Sequence, residues 1–453
     1  MSWAATTARQ ISRAVRRGDA TAGSVVDQHL RHAATVQSGR RGDPYAELRT
    51  LGALAEAAAV DDLADLGSLA LAGVPVAVGE LLPVAGVAAR HGSAAYTGPV
   101  ADQDHEAVRR LRGAGAVIAG ITRTTELGLW STSDGPRNPW RDDRGVGGAE
   151  NGAAAAVAYG TVPIAIGVDA LGGVRIPAAA SGIVGFKPGR GVVPALSGTA
   201  DWFGLAAPGI LATTVGDAAA AFGVLAGHSV RPGGELFEPV APSRLRIAVT
   251  ASPPLAGRHG DRPEWDALRS IIKLLTAAGH DAHKASFALP PHAHGAIFSA
   301  WTATAYLSSL RLDKGRLERR TRRHVSIGQR VYLNGLLGAV DNWRRRASEW
   351  FGQESFDVLI TPVLPGPAPV AEEWSARSWR SNLAASTRLT TFTSAWNLTG
   401  LPALVLPTGT RGDGLPSAVQ LVGPPDSEET LLDLGAQLGS ALNLRRYAPW
   451  VLP

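Results

Sequence analysis

Residues 145 to 191 read GVGGAENGAAAAVAYGTVPIAIGVDALGGVRIPAAASGIVGFKPGRG, two glycine-rich turns flanking an alanine-rich helix and a strand. Glycine lets a backbone approach a ligand closely because no side chain intervenes. Two such turns bracketing one helix form the framework of an oxyanion site built from backbone N–H groups. Side-chain chemistry is restricted by contrast. With no cysteine in the chain, a thiolate nucleophile, a disulfide framework and a Cys-bound zinc or iron–sulfur centre are excluded. Chemistry that needs a lysine has four candidates, Lys187, Lys273, Lys284 and Lys314, against 40 arginines, the bias a GC-rich coding sequence produces.

The elements that must position these turns follow from the apolar pattern. Helical spacing predicts two short helices over 4–36, broken at Gly18 and Gly23, and another over 48–65. Short apolar runs at Val74–Val78, Ala116–Ala119, Val162–Ile166, Arg246–Thr250, Asp357–Thr361, Ala403–Pro407 and Val419–Gly423 predict strands. Helices are predicted over 104–114, 264–278 and 428–442. Strands alternating with helices imply an α/β fold with a large, mixed, mostly parallel central sheet covered by helices on both faces. With 453 residues and no repeat or Gly/Ser linker, one domain over 1–453 is expected. Within it, 230–355 is expected to be a variable, partly helical segment bordering the pocket. The arginines between 311 and 346 suit a solvated helical face, or a partner surface or anion-attracting lip over a pocket.

A net charge of +5 with 18% charged residues does not demand nucleic acid. The N-terminal MSWAATTARQISRAVRRGDA has no apolar core behind its basic residues. The apolar stretch Ala153–Val168 is broken by Tyr159, Gly160, Thr161, Pro163 and Gly167, too interrupted to span a bilayer. A cytoplasmic protein without a membrane or nucleic-acid partner is expected.

The segment Gly147–Ala178 resembles the amidase signature family, hydrolases that use a Ser, a cis-configured Ser and a Lys. Gly147, Gly148, Gly152, Gly160, Pro163, Gly167, Asp169, Gly172, Arg175, Ile176 and Pro177 all agree with the family pattern, without a gap. LAGVPVAVGELLPVAG (71–86), AGITRTTELG (119–128) and GPRNPWRDDRGVGG (135–148) resemble further family segments. FDVLITPVLPGPAP, NLTGLPAL and AVQLVG near the end have family counterparts too. The resemblance covers nearly the whole chain and implies the amidase-signature fold.

The same matches put the family's Lys at Gly79 and its following Asp at Glu80. They put the cis-Ser at Ala149, its neighbour at Glu150, and the nucleophilic Ser at Gly173. In the family, Lys acts through the cis-Ser as base for the nucleophile; Gly79, Ala149 and Gly173 offer no side-chain donor, acceptor or attacking atom. Loss of a nucleophile and its base costs on the order of 10⁶ in turnover. Ser181, the nearest serine after Gly173, is a weak substitute, standing where the family has a small residue behind the core.

These substitutions remove side-chain volume, so an enlarged pocket is expected, with backbone donors at Ala170, Leu171, Gly172 and Gly173. Glu150 and Glu80 are candidate acid/base groups. Alternatively, Glu150 caps the helix that follows it and Glu80 keeps a structural hydrogen bond. Asn151, Trp130, Trp202, Trp301 and His91 are candidate substrate contacts, with Trp140, Asp169 and Arg175 as scaffold. The leading expectation is a non-hydrolytic cyclase, isomerase or lyase acting on a small carbonyl compound of specialised metabolism. The alternatives are a pseudoenzyme that binds a ligand or partner subunit, and an amidase with a displaced triad. No metal or cofactor is expected; the partners expected are a small-molecule ligand and, as in the family, a second copy of the chain.

Overall fold

The β-branched and small apolar runs become strands of one sheet in the computed structural model, which describes residues 3, 4, 6–39, 42–194, 198–227, 239–255, 257–337, 341–443, 446–449 and 451. In chain order the strands are β1 (Tyr45–Leu48), β2 (Pro75–Gly79), β3 (Val117–Thr122), β4 (Ile164–Asp169), β5 (Val184–Lys187), β6 (Ala207–Ala212), β7 (Arg246–Val249), β8 (Asp281–Lys284), β9 (Val358–Pro362), β10 (Ala403–Thr410) and β11 (Pro416–Val422). Their order across the sheet is β1-β3-β2-β4-β6-β5-β10-β11-β9-β7-β8. The fold is α/β with a large mixed sheet, as the residue pattern implies.

The balance of strand directions differs from expectation. Among the described residues, β2 runs parallel to β3 and β4, and β7 to β8 and β9. The pairings β1–β3, β4–β6, β6–β5, β5–β10, β10–β11 and β11–β9 are antiparallel, so the sheet is not mostly parallel. The reason lies in VGFK and APGILA, the sequences of β5 and β6. Glycine and proline mask them as strands, yet they supply antiparallel connections in the middle of the sheet.

What positions the site is the β2–β4 pair, registered through Val76↔Ile164, Ala77↔Ala165 and Val78↔Ile166. Every residue of both strands is buried, which suits their near-continuous apolar sequences. Their C-terminal ends deliver Gly79 and Asp169 to one edge of the sheet, where open α/β sheets bind ligands. The helix Asn151–Ala158 packs on both strands. Its NGAAAAVA sequence makes this close fit: alanine has the best helix propensity, and all eight residues are buried.

The two N-terminal helices are Ala8–Arg16 and Ala22–Gln37. Gly18 breaks them with φ +73°, while Gly23, also expected as a break, lies inside the second. Of the expected variable segment, 230–238, 256 and 338–340 lie outside the described residues. The described part holds the helices Arg262–Ala277, His292–Ser308, Arg319–Leu333 and Asp341–Glu354. No helix among the described residues is long and apolar enough to cross a membrane.

Candidate active site

The peptide bond between Gly148 and Ala149 is cis, at the position the family resemblance gives to the cis-configured serine. Thr125 N and Thr124 Oγ1 donate to Ala149 O at 3.1 and 2.9 Å. A Cβ built on Gly173 would lie 3.6 Å from Ala149 Cβ, so these two positions face each other. Around them the sequence-predicted residues Ala149, Ala170, Leu171, Gly173, Trp130 and Trp202 meet at one cavity, together with Leu81, Val168 and Ser131. Leu81 and Ser131 went unnoticed in the sequence because only the fold brings them to this place.

The cavity is only about 20 Å³, so the enlarged pocket expected from the small residues is not there. A single water needs about 10–15 Å³ of such space. Leu81, Leu171 and Trp202 are the large side chains that, with Trp130, wall the cavity, and Glu150 fills the place a side chain at 79 would take. A Cβ on Gly79 would stand 3.0 Å from Glu150 Cδ, and one on Gly167 of β4 2.6 Å from Glu150 Cγ. Gly79→Ala is therefore expected to destabilise the chain by about 1–3 kcal/mol through overpacking. In a Glu150→Ala background the same change should cost little, giving a coupling of about 1–3 kcal/mol in a urea-unfolding double-mutant cycle. Additive costs would show that the two positions do not share this space.

Glu150 does not cap the helix that follows it, contrary to the structural role considered for it. Its carboxylate turns to the sheet instead, where Val168 N donates to Oε1 at 2.8 Å and Oε2 has no partner. Burial pushes the carboxyl up to about 8, assisted by the negative charges of Glu80 and Asp169 and opposed by the Val168 N–H. At neutral pH Glu150 is mostly protonated. It does not line the cavity, and neither does Gly79.

Glu80 lies elsewhere. It accepts from Gly92 N at 2.5 Å. With Asn151 it lines a separate polar cleft of about 640 Å³ alongside Arg90, Arg123, Glu126 and Arg320. Burial raises its pKa, against the pull of the Gly92 N–H, Arg123 and Arg90. With its amide nitrogen turned inward, Asn151 donates to Ala149 O and Arg123 O at 2.9 and 3.2 Å, bracing the turn. His91 stacks on Tyr96 at 4.4 Å, and burial lowers its pKa to about 4. It lines none of these spaces.

Asp169 and Arg175 form the frame behind the turn. Arg175 Nε and Nη2 donate to Asp169 at 3.0 and 2.9 Å, and Gly172 N donates to Asp169 Oδ1 at 2.9 Å. Gly172 N–H is thus committed inside the loop, which leaves Ala170, Leu171 and Gly173 as the predicted backbone donors that line the cavity. Ser181 is buried, lies outside the cavity and belongs to the helix Arg175–Ser181. Lys187 Nζ donates to Pro188 O at 2.8 Å, far in role from a cavity it does not line. Burial lowers its pKa to about 7, with Arg175 and Arg190 adding to the shift and Asp169 and Glu428 opposing it.

Trp301 lines a third space, an apolar groove of about 810 Å³ that meets the small cavity at Leu171. Its Nε1 donates to Leu129 O at 2.9 Å, and its ring lies 4.5 Å from His324. Trp130 joins the same cluster, donating from Nε1 to Thr321 Oγ1 at 3.0 Å. His324 is fully buried, and burial lowers its pKa to about 3. Arg320, one of the arginines read as a solvated face, turns inward and donates to Asn382 Oδ1 at 2.8 Å.

This geometry has counterparts among known proteins. The family model described as Amidase matches residues 30–432. AmiA2 of Mycobacterium tuberculosis (strain ATCC 25618 / H37Rv), a protein named as an amidase, is 36% identical over 409 residues, covering 86% of this chain and 84% of that protein. The 6-aminohexanoate-cyclic-dimer hydrolase of Pseudomonas sp. (strain NK87) is 32% identical over 393 residues, covering 78% and 77%. A solved 6-aminohexanoate cyclic dimer hydrolase, complexed with substrate, superposes with a TM-score of 0.85 at 27% identity, covering 100% of this chain and 99% of that one. These relatives are named for hydrolysis, which overturns the expectation of a cyclase, isomerase or lyase and supports an amidase-type function. The extent of these matches means that the chain belongs to the amidase family.

Proposed function

We propose that this chain keeps the cleft of its family as a ligand-binding site, in the groove that adjoins Leu171, and lacks the family's Ser–cis-Ser–Lys relay. The observation that carries this reading is the trio Gly79, Ala149 and Gly173, with the Glu150 carboxyl folded over the first of them. No hydroxyl or amine is available at those positions to attack a carbonyl or to take a proton. On this reading the chain acts as one unit over its whole length, and the lining of the groove by Ile297, Phe298 and Trp301 supports a role for the described part of 230–355 at its wall. A small-molecule ligand is its partner, and a second copy of the chain is a candidate one.

One observation favours a second reading. Ser131 lines the small cavity, and the relatives are hydrolases, so a displaced nucleophile would have to be Ser131 rather than Ser181. A fluorophosphonate probe separates the two. The purified protein is expected to remain unlabelled and to turn over short amides on the order of 10⁶ more slowly than a family hydrolase. Stoichiometric labelling at Ser131 would establish the second reading and sink the first.

A further inference from the structure

The groove beside Leu171 has walls of one kind and a rim of another. Leu171, Leu255, Ile297, Phe298, Trp301 and Leu383 supply apolar surface inside it. Arg258, Arg380 and Arg388 belong to the same lining but are exposed, and none of them takes part in an ion pair among the described residues. Arg388 and the Asp261 carboxylate both come within 3.4 Å of the space beside Gly366, and Asp261 shares Arg411 with Glu264 and Asp413, so it offsets part of the charge of Arg388. The rim therefore carries a net positive charge, supplied chiefly by Arg258 and Arg380.

We propose that the groove binds an acyl carboxylate, with the unbranched tail lying between Leu255, Phe298 and Trp301 and the carboxylate held at the mouth by Arg258, Arg380 and Arg388. The volume suits this occupant, since ligand pockets run from about 300 to 1,000 Å³ and this one holds about 810 Å³. Charge complementarity sets the orientation. An arginine guanidinium matches a carboxylate with paired N–H donors, whereas the hydroxyls of Thr390, Thr391 and Ser394 in the lining already donate to backbone carbonyls. Leu171 closes the inner end, so the tail stops short of Ala149 and Gly173. The inference rests on the reading that the family cleft survives as a ligand site, and adds the class of ligand.

The test is calorimetric titration of the full chain with hexanoate, octanoate and decanoate, and with decan-1-ol and decylamine as controls. Each added methylene should strengthen binding about four-fold, the equivalent of burying one CH₂. Decanoate should bind at least about ten-fold more tightly than decan-1-ol, and decylamine more weakly than either. Raising the salt concentration should weaken decanoate alone, because the rim charges are exposed. An Arg380→Gln/Arg388→Gln variant, changed only at exposed positions and checked by an unaltered thermal melt, should lose about ten-fold for decanoate and nothing for decan-1-ol. Equal binding of the acid and the alcohol, or no dependence on chain length, would overturn the proposal. Release of decanoate from decanamide by the same protein would overturn both the missing-relay reading and the placement of the head group at the rim, whereas equal binding of acid and alcohol overturns the ligand class alone.

Discussion

Arg175→Leu is expected to cost about 3–5 kcal/mol of folding stability, the usual penalty for leaving one partner of a buried ion pair alone. Both side chains of the Arg175–Asp169 pair are fully buried. Besides Asp169, the guanidinium donates to Gln420 Oε1 at 2.6 Å, to Asn397 Oδ1 at 2.6 Å and to Thr393 O at 3.0 Å. Leucine would strand all of these acceptors. Burial by itself would raise the Asp169 carboxyl, but the charge and hydrogen bonds of Arg175, with help from Asn397, outweigh it and hold the group at about 2. Since that folded value lies below the ordinary one, Asp169 contributes stability that is present above about pH 4 and is lost as pH falls toward 2. Urea unfolding at pH 7 measures the loss for Arg175→Leu, and less than about 1 kcal/mol would refute the account. Arg175→Lys should recover only part, because one ammonium cannot replace a planar fork of five donors.

Glu150→Gln is expected to make the protein more stable above pH 8 and to leave it almost unchanged near pH 4. The Glu150 carboxyl has its folded value raised from 4.5 to about 8. Its stabilising contribution is therefore complete below pH 4.5 and declines as pH climbs through 8, at about 1.4 kcal/mol per unit. Glutamine preserves the shape and the acceptor for Val168 N without a charge to bury. The gain at high pH should amount to several kcal/mol on this slope. Lys187 acts in the opposite sense, since its lowered folded value makes stability rise with pH above 7. For that reason the quantity to measure is the difference between wild type and variant, followed by urea unfolding from pH 5 to 9. A flat difference would mean that Glu150 is not held protonated by its surroundings.

Much of the frame was legible in the residues, and the reasons are local. Val74–Val78 and Val162–Ile166 read as strands because their apolar runs are short, β-branched and bounded by turns, and they became β2 and β4. Asp169 and Arg175 were assigned to scaffold and sit in the buried network behind the turn. What escaped the sequence depends on neighbours distant in the chain. β5 and β6 declare themselves only through antiparallel partners. The fate of Glu150 depends on the absence of side chains at Gly79 and Gly167, on two different strands. Counting deleted volume predicted a larger pocket, whereas packing drew Glu150 into the place at Gly79 and left Leu81, Leu171 and Trp202 to wall the small cavity. The inward turn of Arg320 was equally invisible, since a run of arginines on one helix does not say which of them meets Asn382.

The overlap of Glu150 with the space above Gly79 also constrains how this sequence can change. A lysine entering at position 79 would meet the end of the Glu150 side chain, which must swing aside or be replaced to admit it. Hydroxyls at 149 and 173 would supply nothing to a lysine that cannot yet fit, and a side chain at 173 must itself make room against Val168 O, 2.5 Å from its Cβ. No single substitution along such a route brings the relay closer to working, and the lysine step taken first is penalised by overpacking. On the reading proposed above, the arrangement works as a ratchet: a path toward the Ser–cis-Ser–Lys set also involves Glu150, a residue outside that set.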